Sequence, residues 1–243
     1  MPPHESGYQL VKVNPDSCIV KMLLFSHKCD NIIRFLSLNK WNKWRPYPRF
    51  FYFYYMDKPT TYCQAMHFIK ADDLAVHKLY HDTQYGFPIE ADDELFCRLI
   101  LEINQAGLSW TTILKKQEGF RKAYHNFNIK KVAGYTQKDI DRLLNDAGII
   151  RNKLKVNAAV ENAKTIIGLQ KQYGSFKNWI DSHHPKTKQE WTLLFKKTFR
   201  FTGGEIVNEF LMSTGYLPGA HDATCPVHKK VLKTKPAWAK TKK

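Results

Sequence analysis

The chain is predicted to be an all-α protein, and three observations carry that reading. From about Asp92 onward apolar residues recur every three to four positions; helix-start signals precede several of those runs; and no alternating strand pattern or internal repeat occurs after Met56. With 243 residues, 43% of them hydrophobic and 14% aromatic, the chain has enough apolar material for one good core or two small lobes, and too much for a disordered protein.

The first 55 residues have a different character. Ile19 to Leu38 is largely apolar but broken by Lys21, His27, Lys28, Asp30 and Arg34, which spoils it both as a membrane span and as a signal peptide. The aromatic cluster RFFYFYYM closes this part, and Met56 is expected to be the native start, with 1–55 an upstream extension. The helical domain is then expected over 56–228, followed by a basic tail, 229–243.

In DDELFCRLILEINQ, residues Leu95, Phe96, Leu99, Ile100 and Ile103 form one apolar stripe. TQKDIDRLL opens with Thr136 and carries Asp139 three residues on, a helix-start signature. Further helices are predicted over Val156 to Leu169, about Gln189 to Phe199, where Trp191, Leu194, Phe195 and Phe199 share a face, and about Glu205 to Ser213. The tail holds seven lysines in fifteen residues without an acid, which reads as a solvated, disordered segment.

The formal net charge of +16 favours a partner bearing phosphate or acidic lipid, with salt-dependent binding. Five cysteines, an odd and sparse set, do not make a secreted disulfide framework; a reduced cytoplasmic compartment fits, leaving thiols free for metal.

Cys63 and His81 lie near the start of the domain, and His221 and Cys225 near its end, the second pair three residues apart. Two thiolates and two imidazoles suit tetrahedral zinc, and an ion so held would join the domain's ends in a structural role, no coordination position being open. His67, His77 and His228 compete for the same part, and unrelated core or surface residues are the plain alternative.

LLNDAGIIRNK (143–153) sits between two helical stretches. Gly148 can adopt a positive φ and permits a tight turn between them. Backbone N–H groups at the start of the second helix, with Arg151, Lys153 and Lys155, would then face a DNA phosphate as a helix–hairpin–helix does, without reading bases. An ordinary helical hairpin whose glycine only stops a helix fits the same residues. In LEINQAGLSW, Glu102 lies beside the apolar stripe and precedes Trp110 by eight positions; YHDTQYG adds Tyr80 and Tyr85. Rings and one carboxylate are what a flipped base needs, although aromatics on helices are also ordinary core.

Taken together and in this order, YHDTQYG (80–86), QAGLSWTTILKK (105–116), NDAGIIRNK (145–153) and HDATC (221–225) make the sequence resemble the DNA-3-methyladenine glycosylase I family from about Tyr62 to Cys225. The resemblance implies a helix–hairpin–helix DNA glycosylase fold in which a zinc clasp joins the N- and C-terminal parts of the domain. It implies one structural zinc on Cys63, His81, His221 and Cys225, and no cofactor in the chemistry. It implies Glu102 as the catalytic residue in a base pocket with Tyr80 and Trp110, Tyr85 at its edge, and backbone contacts through Gly148, Arg151 and Lys153. The substrate would be double-stranded DNA carrying alkylated bases, excised by a monomer with no membrane association. Two departures stand out: Tyr85 occupies a position where the family pattern leads one to expect tryptophan, and Cys63 is farther from His81 than that pattern suggests. The rival reading is a noncatalytic DNA-binding module built on the hairpin and tail.

Overall fold

The computed structural model describes residues 9–12, 52–55 and 59–240. Most of the extension proposed for 1–55, and Met56 itself, lie outside the described residues. Within that part, β1 (Gln9–Lys12) pairs antiparallel with β2 (Tyr52–Tyr55), Gln9 opposite Tyr55.

A second unit, from Thr61 onward, is helical throughout. It runs α1 (Tyr62–Ala65), α2 (Ala71–Thr83), α3 (Asp92–Gln105), α4 (Trp110–Lys115), α5 (Gln117–Ala123), α6 (Ile129–Ala133) and α7 (Gln137–Asn145). Then come α8 (Lys153–Tyr173), α9 (Phe176–His183), α10 (Lys188–Thr198), α11 (Gly204–Ser213) and α12 (Pro226–Lys233). No helix among the described residues is long and apolar enough to cross a membrane.

Helix α3 is the axis of the unit, packed against α4, α6, α8, α9 and α11. Its first-turn acids stitch neighbours to it as well as complementing its own dipole. The Asp92 carboxylate accepts the N–H groups of Phe176 and Lys177 at 2.7 and 3.0 Å, capping α9. Asp93 accepts the Ile129 N–H at 3.1 Å at the start of α6, and Glu94 holds Arg121 of α5 through two bonds of 2.8 and 2.7 Å. Surrounded on all sides, α3 buries every residue from Leu95 to Gln105, not the single stripe its periodicity predicts. Its polar members Arg98, Glu102 and Asn104 are thereby drawn into the interior.

The helix start predicted at Thr136 and Asp139 is present and takes the form of a capping box, and a second box forms at Thr187 and Glu190. The Trp191–Phe195 face of α10 packs with Trp179, Phe176 and Phe210 into an aromatic layer. The segment after 228 departs from the solvated tail expected. Val227 and Val231, four apart, bury one face of α12, Pro226 occupies its first turn, and the Trp238 N–H reaches the Gly215 carbonyl at 3.3 Å. The run of lysines masked that pair of valines.

Candidate functional site

Four side chains from the two ends of the helical unit converge. Cys63 comes from α1, His81 from α2, His221 from the loop after α11, and Cys225 from the N-cap of α12; their donor atoms all lie within 4.8 Å of one another. Cys63 Sγ is 3.3 Å from His81 Nε2 and 3.6 Å from His221 Nδ1, and the two imidazole nitrogens are 3.2 Å apart. Cys225 Sγ completes the figure at 3.8 and 3.9 Å from the same nitrogens. A tetrahedral ion with sulfur at about 2.3 Å and nitrogen at about 2.0 Å spaces its ligands about 3.3–3.8 Å apart. The cluster fits a metal ion of that geometry.

The surroundings fit it too. His81 Nδ1 donates to Asp82 at 2.7 Å and His221 Nε2 donates to the Tyr85 carbonyl at 2.8 Å, so each ring is oriented with its other nitrogen's lone pair toward the cluster. Gly86 sits at φ +83, and a Cβ there would meet Ala220 Cβ at 2.7 Å; only glycine lets the 220–221 segment carry His221 this close. Burial, reinforced by neighbouring Cys225 and opposed by the Asp222 N–H, pushes the Cys63 thiol up to about 11. Burial above all holds His221 below the usual imidazole range, in the neutral form a ligand requires. His67, His77 and His228 stand outside the cluster.

Beside it is a set of rings around one carboxylate. Glu102 is 1% exposed on α3. Tyr80, next to His81, meets Trp110 edge-on with ring centres 5.0 Å apart, and Tyr85 lies 5.6 Å from Tyr80. The hydroxyls of Tyr80 and Tyr85 are held well above the usual phenol range, first by burial; Glu102 adds to the rise in both, which places its charge close to them. Thus the structure brings Tyr80, Tyr85, Trp110 and Glu102 into one neighbourhood and keeps Glu102 out of bulk water.

Four members of this neighbourhood escaped the sequence reading. Tyr62 packs edge-on against Tyr80 and Tyr85 at 5.9 and 5.1 Å, its hydroxyl 2.6 Å from His77 Nδ1, whose Nε2 is 2.8 Å from Thr111 Oγ1. Arg98, one turn before Glu102, donates to Tyr80 Oη at 3.0 Å. The Tyr85 hydroxyl donates to Glu209 of α11 at 3.2 Å, so the tyrosine found where tryptophan was expected is tethered by its polar end. A signal existed for Arg98, the i, i+4 spacing to Glu102. Tyr62, His77 and Glu209 arrive from separate elements.

The hairpin turn lies between α7 and α8, as the sequence places it. Gly148 does not adopt a positive φ. Its N–H bonds to Asp146 Oδ1 at 2.7 Å, and a Cβ on Gly119 of α5 would stand 2.4 Å from the Gly148 carbonyl oxygen. The glycines serve close backbone approach. Asn152 caps α8, accepting the Leu154 and Lys155 N–H groups at 3.0 and 3.2 Å. Arg151 and Lys153 are exposed; Lys155, expected among the outward cations, is buried, donating to the carbonyls of Asn104 and Ala106 at 2.9 and 2.7 Å. It caps the end of the helix that carries Glu102.

A family model described as methyladenine glycosylase matches residues 70–193. The chain is 35% identical over 155 residues to DNA-3-methyladenine glycosylase 1 of Escherichia coli, covering 56% of this chain and 83% of that protein. It is 37% identical over 166 residues to DNA-3-methyladenine glycosylase of Haemophilus influenzae, covering 60% and 89%. Among solved structures, a 3-methyladenine DNA glycosylase I variant in complex with 3-methyladenine superposes with a TM-score of 0.58 at 32% identity, over 63% of this chain and 91% of that one. The Staphylococcus aureus 3-methyladenine DNA glycosylase I, whose structure addresses 3-methyladenine recognition, gives 0.57 at 33%, over 63% and 90%.

Proposed function

This chain belongs to the methyladenine glycosylase family, and we propose that it excises 3-methyladenine from alkylated double-stranded DNA, the first step of base excision repair. The observation that carries the reading is Glu102, a carboxylate sunk to 1% exposure among rings. Burying a carboxylate is costly, and a chain that keeps one beside Tyr80, Tyr85 and Trp110 has a use for it.

Methylation at N3 puts a positive charge on adenine and makes it a good leaving group, so no protonation of the base is needed. The nucleotide is unstacked and swung out of the helix at a cost of a few kcal/mol, least for a damaged base. Tyr80 and Trp110 take its faces, parting from their mutual contact, and Tyr85 lines the edge. Glu102 accepts from the exocyclic amine and, as an anion, favours a cationic purine over a neutral one. When the N-glycosidic bond breaks, its electron pair leaves with the purine and neutralises it; water adds oxygen to C1′ and gives up a proton, leaving an abasic site.

The Cys63, His81, His221 and Cys225 set would hold one zinc per chain, which, bound by four protein ligands, supplies structure and not chemistry. The hairpin, as a helix–hairpin–helix, grips the backbone through the Gly148 turn, Arg151 and Lys153, in a monomeric protein that works in the cytoplasm. The test is release of free base from methylated duplex, followed chromatographically: 3-methyladenine in the supernatant is expected, and tight salt-sensitive binding with no base released would establish a DNA-binding module instead.

A further inference from the structure

The loop between α10 and α11 presents Phe201 in a manner that core packing does not require. Its φ is +61, a left-handed conformation unfavourable for a bulky residue, and the ring is 41% exposed. Buried side chains nevertheless hold the loop backbone. Fully buried Asn162 of α8 grips both backbone groups of Arg200, accepting its N–H at 2.7 Å and donating to its carbonyl at 3.1 Å. Thr202 Oγ1, also buried, donates to the carbonyls of Phe195 and Phe199 at 3.0 and 3.2 Å. Around Phe201 opens a depression of about 480 Å³, lined also by Lys196, Arg200, Phe199 and Ile206, with both cationic residues exposed.

The position of this loop matters as much as its shape. Lys155 Nζ, which holds the carbonyls of Asn104 and Ala106 at the end of the Glu102 helix, lies 5.8 Å from the centre of the Phe201 ring. Lys155 also belongs to the first turn of α8, two residues after Lys153. One buried cation therefore adjoins the hairpin, the end of α3 and the Phe201 loop.

We propose that the Phe201 loop is a second DNA-contacting element, distinct from the hairpin. The Phe201 ring packs on a base or sugar exposed where the duplex is opened, and Arg200 and Lys196 meet the adjoining phosphates. Every nucleic-acid base has a π-face, so such a ring contributes affinity without sequence preference, and two cations beside it match a phosphate strand. The strained, clamped backbone keeps the ring outward when burial in the core beneath would draw it in. This inference rests on the reading of the protein as a DNA glycosylase.

The test uses the full chain and a duplex containing a tetrahydrofuran abasic-site analogue, titrated by fluorescence anisotropy across a salt series. Phe201→Gly relieves the positive φ, so its Tm should equal or exceed that of the parent, while the dissociation constant rises by about fivefold to a hundredfold. Arg200→Ala leaves the Asn162 clamp intact and should reduce the slope of log affinity against log salt by about one. Binding of free 3-methyladenine, read by tryptophan fluorescence, should be unchanged in both variants. Duplex affinity and salt slope equal to the parent's in both variants would overturn the proposal, and so would parallel loss of free-base binding and thermal stability. The affinity arm does not depend on excision: a parent protein that releases no 3-methyladenine would defeat the glycosylase reading while leaving this contact measurable.

Discussion

The cysteine–histidine cluster and the hairpin are built on opposite principles. At the cluster everything depends on side-chain atoms: four donors all within 4.8 Å of one another, two of them steered by Asp82 and the Tyr85 carbonyl. At the hairpin the shape comes from backbone, with Gly119 pressed against the Gly148 carbonyl, and the cations Arg151 and Lys153 project outward from it. The first region is destroyed by trimming a side chain; the second is destroyed by adding one. A cluster that ties residue 63 to residue 225 also closes most of the helical unit, where a cross-link has its greatest leverage on chain entropy.

The largest expected effect follows from that. His221→Ala removes a ligand and should lower unfolding stability by about 3–5 kcal/mol, or Tm by roughly 6–20 °C, with loss of bound zinc by elemental analysis. An unchanged Tm with full metal content would erase the contrast. Next comes Gly119→Ala, whose methyl meets backbone and not a yielding side chain; about 1–3 kcal/mol should be lost in urea unfolding and DNA affinity weakened, at unaltered zinc content. Arg151→Ala and Lys153→Ala should leave stability within about 0.5 kcal/mol and each reduce the salt slope of DNA binding by about one.

The smallest effect concerns the Glu94–Arg121 pair that joins α3 to α5. Arg121 holds the Glu94 carboxyl below its ordinary value of 4.5. The depressed folded-state value means the pair stabilises fully above about pH 4.5, and that contribution disappears as pH falls through the folded value. Glu94→Gln should therefore flatten the acid side of the stability–pH curve and leave metal content unchanged.

Much of this was legible in the residues. The recurrence of apolar side chains located α3, α8, α10 and α11, and Thr136 with Asp139 marked the start of α7, because these signals act within a few positions along the chain. The pairing of Cys63 with His81 was not readable from its spacing; the 3₁₀ turn Met66–Phe68 folds α1 back toward α2 to make it. Tyr62 and Glu209 were missed for the same reason, and His77 was weighed only as a metal ligand, since each joins the Glu102 neighbourhood through tertiary packing alone. Lys155 and the valines of α12 misled for a different one: charge and apolar character were visible, but which face each would turn inward depended on neighbours far away in the chain.

Recognition of a cationic purine by an anionic side chain at position 102 is tested most directly by single-turnover excision by Glu102→Gln. Glutamine keeps the shape and removes the charge. The rate of 3-methyladenine release should fall by about a hundredfold or more, with affinity for undamaged duplex and zinc content preserved. Release at the parent rate would contradict the account.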